Sequence, residues 1–180
     1  MTLRASQAEL ARKLAAASER GPGADGMGVV LHGVRAWVPL MQVAEVVIPQ
    51  PLQRVPRTQP WVLGVAHLRG GVGLVVDWAR CLGLVSDPAR SALSQNLGHW
   101  LVLASDLGVN AALRVDRLLG LSNPDNWRSV LPVPPLHPAV PQVWHDAAGE
   151  VWHRLDLQRL AQSPDFLNPH LPPPTRSADA

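Results

Sequence analysis

The sequence is poor in cysteine and in long hydrophobic runs, and each shortage excludes a class of protein. The 180 residues include a single cysteine, Cys81, so no disulfide bond can form within the chain, which fits a reducing compartment. The longest apolar runs, Trp61–Leu68 and Gly71–Val76, are far shorter than the roughly 18 residues that a membrane-spanning helix needs. The N-terminus also lacks the apolar core and cleavage site of a secretion signal. We therefore expect a cytoplasmic protein with no membrane insertion.

Charged residues and most aromatic residues are also scarce. Charged residues make up 17% of the chain and hydrophobic residues 47%, a balance that excludes global disorder. The formal net charge of +2 is too small to indicate nucleic-acid binding by itself. Tyrosine is absent and phenylalanine occurs once, whereas small barrels that bind single strands combine basic residues with exposed aromatic rings.

Tryptophan is the exception, with seven residues. Each buried indole removes roughly 150–250 Å² from water, which favours a place in a core or an interface. We predict that Trp37, Trp78 and Trp100 are core residues and that Trp61, Trp127 and Trp144 are partly exposed.

The sequence contains none of the common catalytic or cofactor motifs. Lys13 is the only lysine, and it does not follow a glycine-rich phosphate-binding loop. No serine has the flanking glycines of a nucleophile elbow, and Cys81 lies among apolar residues that predict an unreactive core thiol. The histidines are scattered, and although His145 and His153 flank one predicted hairpin, two imidazoles make a poor metal site. The sequence therefore predicts no enzyme, no cofactor and no metal.

Residues 3–20 have the pattern of a helix. Ser6 and Glu9 have the spacing of a capping box, and Leu10 and Leu14 are one helical turn apart. The Gly- and Pro-rich residues 21–26 then interrupt the chain. This predicts an N-terminal helical extension and linker over residues 1–25, which either packs on its own domain or docks a partner.

From residue 28 onward, short β-like runs alternate with turn residues. Many short strands with Gly and Pro between them favour small barrels or a sandwich. Two hairpin turns are predicted, at His32-Gly33 and at Ala147-Ala148-Gly149. The candidate strands are Gly28–Leu31, Ala36–Pro39, Ala44–Ile48, Leu63–Leu68, Val72–Val76, Trp100–Ala104, Ala111–Val115, Gln142–His145 and Val151–Leu155.

Three aspartates each stand at the end of a predicted strand. Asp77, Asp116 and Asp156 all precede an apolar stretch that we interpret as a helical turn, which after Asp116 is Arg117–Leu119. An aspartate before a helix accepts a hydrogen bond from a free backbone N–H of the first turn. We therefore predict that these aspartates cap helices and have no acid–base role.

One long stretch resembles the signature of the CheW family of chemotaxis coupling proteins. Arg54-Val55-Pro56 is followed by Trp61–Gly70, which ends in Gly-Val-Ala-His-Leu-Arg-Gly, and then by an apolar strand ending in Val-Val-Asp at Asp77. Upstream, Val43–Val47 is similar to the family's V-x-E-I segment, and Ala112–Asp116 is similar to its second V-D strand. The matches keep the family's order over about residues 26–162. His67 departs from the family's asparagine.

The resemblance implies a fold and a domain division. CheW-like domains are mainly β, with two intertwined five-stranded barrels of the SH3 type and short helices. Residues 26–163 would form this domain, after the helical extension of residues 1–25. The Pro-rich residues 164–180 would form a disordered tail. Within the family, the N-terminal extension and Trp61 are most similar to the coupling proteins of type IV pilus (twitching motility) systems.

The resemblance also implies a non-catalytic adaptor with two protein partners. One is the C-terminal regulatory domain of a CheA-type histidine kinase, and the other is the hairpin tip of a methyl-accepting chemoreceptor. By match to the family motif, Val43 and Glu45 would lie at the receptor-binding face, and Arg69 beside the surfaces of both partners. Gly64 and Gly70 flank the same strand, where a missing side chain allows close backbone approach.

Each of these residues also has a plain structural interpretation. Arg69 would form either an interface contact or an internal salt bridge that holds a loop, and Glu45 is one conceivable partner. Val43 would be either an interface residue or an ordinary core valine.

A small β-barrel that binds nucleic acid is the alternative function. It predicts salt-dependent retention on a single-stranded column, because such binding depends on phosphate contacts. Elution at low salt without sequence preference would count against it.

Overall fold

The computed structural model describes residues 25–83, 98–124, 127–129 and 137–171. The predicted helix at residues 3–20 lies outside the described residues, as does the end of the predicted tail from residue 172.

Two β-sheets form the fold, which is mainly β as predicted. The first contains β1 (Gly26–Leu31), β2 (Val34–Pro39), β8 (Arg117–Ser122), β9 (Arg128–Ser129), β10 (Gln142–His145) and β11 (Val151–Arg154). The second contains β3 (Val43–Val47), β4 (Val62–Leu68), β5 (Gly71–Asp77), β6 (His99–Leu103) and β7 (Ala111–Val115). The spatial orders are β8-β1-β2-β11-β10-β9 and β3-β6-β7-β5-β4. The second sheet is thus inserted in the chain between two parts of the first, which makes the two intertwined.

Short helices complete the described chain. They are α1 (Trp78–Cys81), α2 (Leu157–Ala161) and α3 (Pro164–Leu167), with 3₁₀ turns at Leu40–Gln42 and Ser105–Leu107. All nine predicted strands are present within two residues at either end. The first sheet exceeds the expected five strands by the two-residue β9.

The predicted helical turn after Asp116 is wrong, because this segment is strand β8. It pairs antiparallel with β1, with Met27 opposite Leu121 and Val30 opposite Arg117. The free edge of β1 offers this segment a ladder of backbone hydrogen bonds, a tertiary effect that the local pattern does not show. Asp77 and Asp156 do cap helices α1 and α2, as predicted.

The central strands β6 and β7 of the second sheet are buried on both faces. In β6, Leu101 and Leu103 belong to the core shared with the first sheet, whereas Trp100 and Val102 belong to a cluster on the other face. Every residue of β7 is buried. A strand buried on both faces reads as a continuous apolar run, which is why the sequence pattern finds these strands easily.

Four tryptophans pack against one another on the first sheet. Trp144 packs edge-on against Trp37, with ring centroids 5.6 Å apart, and against Trp127 at 5.7 Å. Trp127 in turn lies 4.7 Å from Trp152. At Gly26 a Cβ atom would lie 2.2 Å from the Trp37 ring, so only glycine allows this approach.

The predicted tryptophan positions are confirmed with one exception. Trp37, Trp78 and Trp100 are buried, and Trp127 and Trp144 are partly exposed. Trp61 was expected to be partly exposed but is only 9% exposed, because it stacks on Phe166 at 5.8 Å.

Residues 164–171 are ordered, so the prediction that the disordered tail begins at residue 164 is wrong. Ser163 caps helix α3, and Phe166 is buried in the shared core. Beyond the helix, the backbone N–H of Leu171 donates to the carbonyl of Arg57 at 2.9 Å. A high proline content predicts disorder only where no apolar side chain finds a core, and here Phe166 finds one.

A buried ionic cluster fastens the first sheet to the second. The β1–β2 turn carries His32, whose Nε2 lies 3.2 Å from Asp77 and whose backbone N–H donates to Asp116. Arg114 on β7 contacts Asp77 at 3.3 Å and Asp116 at 2.9 Å. The side chains of Arg114 and Asp77 are both 2% exposed. The turn at the tip of one sheet is therefore held by charges buried in the other.

Replacing Arg114 with methionine should strongly destabilise the fold. The substitution removes the Arg114 guanidinium from the buried carboxylate of Asp77, and breaking a buried pair from one side costs about 3–5 kcal/mol. Urea unfolding measures the change in the free energy of unfolding. The control is Arg117→Met on β8, where the arginine is exposed and the change should stay within about 0.5 kcal/mol. Equal stability of the two variants would contradict the role of the cluster.

Candidate protein-binding site

The β3 edge of the second sheet holds two of the predicted site residues. Val43 is half-buried and packs against the shared core, whereas Glu45 is exposed. A bulge between them shifts the pairing with β6, so that Val43 lies opposite Leu103 and Glu45 opposite Val102. Val43 is therefore part of the packing, and Glu45 is open to a partner. We call Met41, Ala44 and Glu45 the β3 edge surface.

Met41 belongs to this surface but was missed by the sequence analysis. Its side chain is 82% exposed in the 3₁₀ turn before β3. In the sequence it continues the apolar run Val38–Met41, which gives no sign that one member turns outward. Met41 lies in the 3₁₀ turn that follows the buried end of β2, and this turn directs its side chain to solvent.

Arg69 and Gly70 form the two-residue turn between β4 and β5. Leu68 pairs with Gly71, and the φ angles of Arg69 and Gly70 are +45° and +80°. Two successive positive φ angles match the type I′ turn, whose twist suits a hairpin. Glycine takes this conformation easily, but Arg69 adopts it at a cost of roughly 1–2 kcal/mol.

The guanidinium of Arg69 does not stabilise the described part of the fold through any ion pair or hydrogen bond. Its side chain is exposed, and within the described parts of the chain it forms no ion pair or hydrogen bond. The suggested pair with Glu45 is not among the ion pairs of the described residues. The internal salt bridge that the sequence left open for Arg69 is thus absent from the described residues.

Two exposed residues beside Arg69 were not singled out as site residues by the sequence. His67 and Val72 face each other across β4 and β5, and Val72 is 69% exposed. Val72 was read as the start of an apolar strand, and only the register with His67 shows that it faces outward. The carbonyl of Val72 accepts a hydrogen bond from Asn110 at 2.9 Å, which steadies the hairpin. We call His67, Arg69, Gly70 and Val72 the hairpin surface.

Gly64 has an architectural role. Its φ angle is +148°, and a Cβ atom there would lie 2.6 Å from the carbonyl oxygen of Gln53. Gln53 and Val65 exchange backbone hydrogen bonds of 2.9 and 2.8 Å. This bridge joins the segment after β3 to β4, the other edge strand, and so closes the second sheet. Gly64 thus allows the closure and carries no side chain to a partner.

The ionisable groups that depart from their ordinary behaviour do not converge on one site. Burial, with the nearby carboxylates of Asp165 and Asp77, raises the pKa of Cys81 to about 12. Burial lowers the pKa of His153. The hydrogen bond from the Trp152 indole, at 2.9 Å, helps to hold the pKa of Asp146 below its usual value. Asp146 uses its carboxylate to shape the β10–β11 turn.

Neither a metal site nor a membrane span is found in the described parts of the chain. No three His, Cys, Asp or Glu side chains are grouped closely enough to hold an ion. His145 and His153 do not face each other, because His145 pairs with Val151 and His153 with Val143. No helix among the described residues has the length and apolarity to cross a bilayer.

Comparisons with known proteins agree with the resemblance read from the sequence. A family model for the CheW-like domain matches residues 25–165. Over 163 residues the chain is 28% identical to Protein PilI of Pseudomonas aeruginosa. This alignment covers 88% of this chain and 87% of Protein PilI. The crystal structure of the scaffolding protein TtCheW from Thermoanaerobacter tengcongensis aligns with a TM-score of 0.59 at 18% identity. That alignment covers 73% of this chain and 87% of the other, and it shows the likeness of the folds.

Gly64→Ala should lower the melting temperature much more than Gly70→Ala. Both glycines have positive φ angles, but only at Gly64 would a new Cβ meet backbone, at 2.6 Å from Gln53. Gly70 has open space around it, so its variant should lose only about 1 kcal/mol of stability. Gly64→Ala adds the cost of forcing two backbone segments apart, about 1–3 kcal/mol more. Equal melting temperatures would show that the bridge at Gln53 does not need Gly64.

The thiol of Cys81 should be nearly inert in the native protein at pH 8. A pKa of about 12, raised from an ordinary value of 9.0, leaves about a thousandfold less thiolate at that pH, and the thiolate is the reactive form. Its rate of reaction with a coloured disulfide reagent should rise to that of a free cysteine in denaturant. Rapid reaction of the native chain would contradict the buried environment.

Proposed function

The chain belongs to the CheW-like domain family, and on this basis we propose that it is a non-catalytic cytoplasmic adaptor between a chemoreceptor and a histidine kinase. The kinase partner would be the C-terminal regulatory domain of a CheA-type enzyme. The receptor partner would be the hairpin tip of a methyl-accepting chemoreceptor. Holding both at once makes kinase activity depend on the state of the receptor.

The observation that carries this proposal is the exposed guanidinium of Arg69 on a two-residue turn. The turn fixes the backbone, and the described structure gives the side chain no internal partner. An arginine presents five donors in a planar fork that fits a carboxylate or a pair of carbonyls. Next to it, the exposed Val72 adds apolar area, so the hairpin surface combines charge with hydrophobic contact.

The β3 edge surface supports the second contact. Glu45 and Met41 are exposed there, while Val43 anchors the strand in the core. We assign this surface to the receptor, with Val43 acting through the position of its strand. The hairpin surface with Arg69 and Gly70 would lie beside the kinase domain. Both surfaces lie on the second sheet or at its edge, so one set of packed strands would hold the two partners in a fixed relation.

The output of the system would be type IV pilus motility. This rests on the similarity to Protein PilI, which extends over 88% of the chain and is thus not confined to the conserved motif. The role of residues 1–25 would be tested in the same setting, by comparing binding with and without them.

Arg69→Ala should weaken capture of the kinase regulatory domain by about tenfold or more while leaving the thermal melt nearly unchanged. Loss of a charge-assisted hydrogen bond at an interface costs roughly 1.5–3 kcal/mol. The side chain makes no internal contact in the described structure, so stability should change by less than about 0.5 kcal/mol. Binding is measured by pull-down and calorimetry with the host's kinase domain.

Two matched variants make the result decisive. Arg69→Gly removes the same guanidinium but suits the positive φ angle, so it should bind as weakly as Arg69→Ala without any loss of stability. Arg117→Ala removes an exposed arginine from β8 in the other sheet and should bind normally. Wild-type affinity in both Arg69 variants would remove the main support for the proposed interface.

A further inference from the structure

The described chain begins beside its most exposed large apolar side chain. Met41 is 82% exposed, the highest value among the large hydrophobic residues that the structure describes. The carbonyl of Asp25, the first described residue, accepts a hydrogen bond of 3.0 Å from the backbone N–H of Leu40, which directly precedes Met41. This bond continues the antiparallel ladder in which Gly26 lies opposite Pro39. The chain that precedes Asp25 is therefore joined to the fold next to Met41.

Met41 is part of a larger apolar patch on the β3 edge surface. Ala44 is also exposed, and Leu40 and Val43 are only half-buried, although both pack against the shared core. A methionine side chain is unbranched and flexible, so it adapts to the shape of an apolar partner. The patch thus offers apolar area whose removal from water would be favourable.

Residues 3–20 supply an apolar stripe of matching chemistry. Their sequence predicts a helix, and the leucines of the segment and one alanine recur at helical spacing, which places them on a single face. They are Leu3, Leu10, Leu14 and Ala17. Most of the stability of a helix in a protein comes from packing of its apolar face rather than from intrinsic propensity. The stripe therefore needs a surface to pack against.

The connection between this segment and the fold is short. Residues 21–24 can span at most about 14 Å. A helix over residues 3–20 would be about 27 Å long, and Leu14 would lie only about 9 Å from its C-terminal end along the axis. The stripe can therefore reach Met41. A short linker also raises the effective concentration of the segment at the surface to the millimolar range, so even a weak contact is populated.

Opposite charges favour the same placement. The β3 edge surface carries the exposed carboxylate of Glu45, which forms no ion pair among the described residues. Residues 3–20 contain four basic side chains and two acidic ones, and Lys13 borders the apolar stripe, four residues before Ala17. A basic segment is attracted to an acidic edge, by an interaction that salt weakens.

We propose that residues 3–20 bind as a helix across the β3 edge surface of their own domain, with Leu10 and Leu14 on Met41 and Ala44. Because this is the surface assigned to the receptor, the bound segment competes with the receptor and limits access to the adaptor. The competition rests on the proposed function. The binding of the segment within the chain does not.

The full chain has three methionines, which allows a direct test. With isotope-labelled methionine methyl groups, Met41 reports on the surface, and Met27, which is 2% exposed, is an internal reference. A soluble paramagnetic agent should relax the Met41 methyl group slowly, because the segment covers it. Leu10→Glu combined with Leu14→Glu should release the segment and raise this relaxation rate several-fold, while Met27 stays unchanged.

Ala8→Glu combined with Ala15→Glu is the matched control. It adds the same two charges on the side of the helix that faces away from the stripe, so it should leave Met41 covered. Equal relaxation of the Met41 methyl group in the wild type and in the double leucine variant would overturn the proposal. Protection of Met41 that grows with protein concentration would also overturn it, since a second copy would then supply the segment.

Receptor binding separates this result from that of the adaptor proposal. The double leucine variant should bind the receptor hairpin tip several-fold more tightly than the wild type, and the double alanine variant should not. Release of Met41 without this gain would support the binding of the segment and contradict its competition with the receptor. Failure of every variant to bind the receptor would contradict the adaptor proposal and the competition, whereas the methyl measurement would still decide whether the segment binds.

Discussion

Arg114 is a cation buried where the two sheets meet, and the need to pair its charge with carboxylates constrains the rest of the fold. Asp77 ends β5 and Asp116 follows β7, so both carboxylates that contact Arg114 come from the inserted second sheet. The His32 turn of the other sheet then reaches the same carboxylates. Burying charges without partners costs several kcal/mol, so the second sheet depends on the pairing of β5 with β7, which places Asp77 beside Arg114.

The candidate site depends on the rigidity that follows from this arrangement. The second sheet packs against a hydrophobic cluster on each face and is closed by the bridge at Gln53, which leaves little freedom to β4. Arg69 is consequently presented at a defined place, on a turn whose φ angles are set by the hairpin. An adaptor needs this property, because a backbone turn that is ordered before binding loses less entropy when a partner arrives.

Much of the architecture could be predicted from the sequence, and less of the site. Strands such as β7 are buried on both faces, so their apolar runs are visible locally. The β8 strand was missed because its pairing with β1 is a long-range contact. Glu45 and Arg69 were proposed as site residues by resemblance to a family motif, whereas Met41 was not. Its exposure depends on a 3₁₀ turn that interrupts an apolar run, and apolar runs ordinarily predict burial.

The sequence by itself determined that this is a β protein of the CheW-like family, because strand patterns, turn residues and a linear motif are all local features. It also predicted that Asp77 caps a helix. Tertiary structure alone decided that Asp77 neutralises Arg114, that Arg69 has no internal partner in the described chain, and that Gly64 serves the closure of a sheet. Charge pairing and close backbone approach join residues distant in the chain, so they are fixed only when the strands come together.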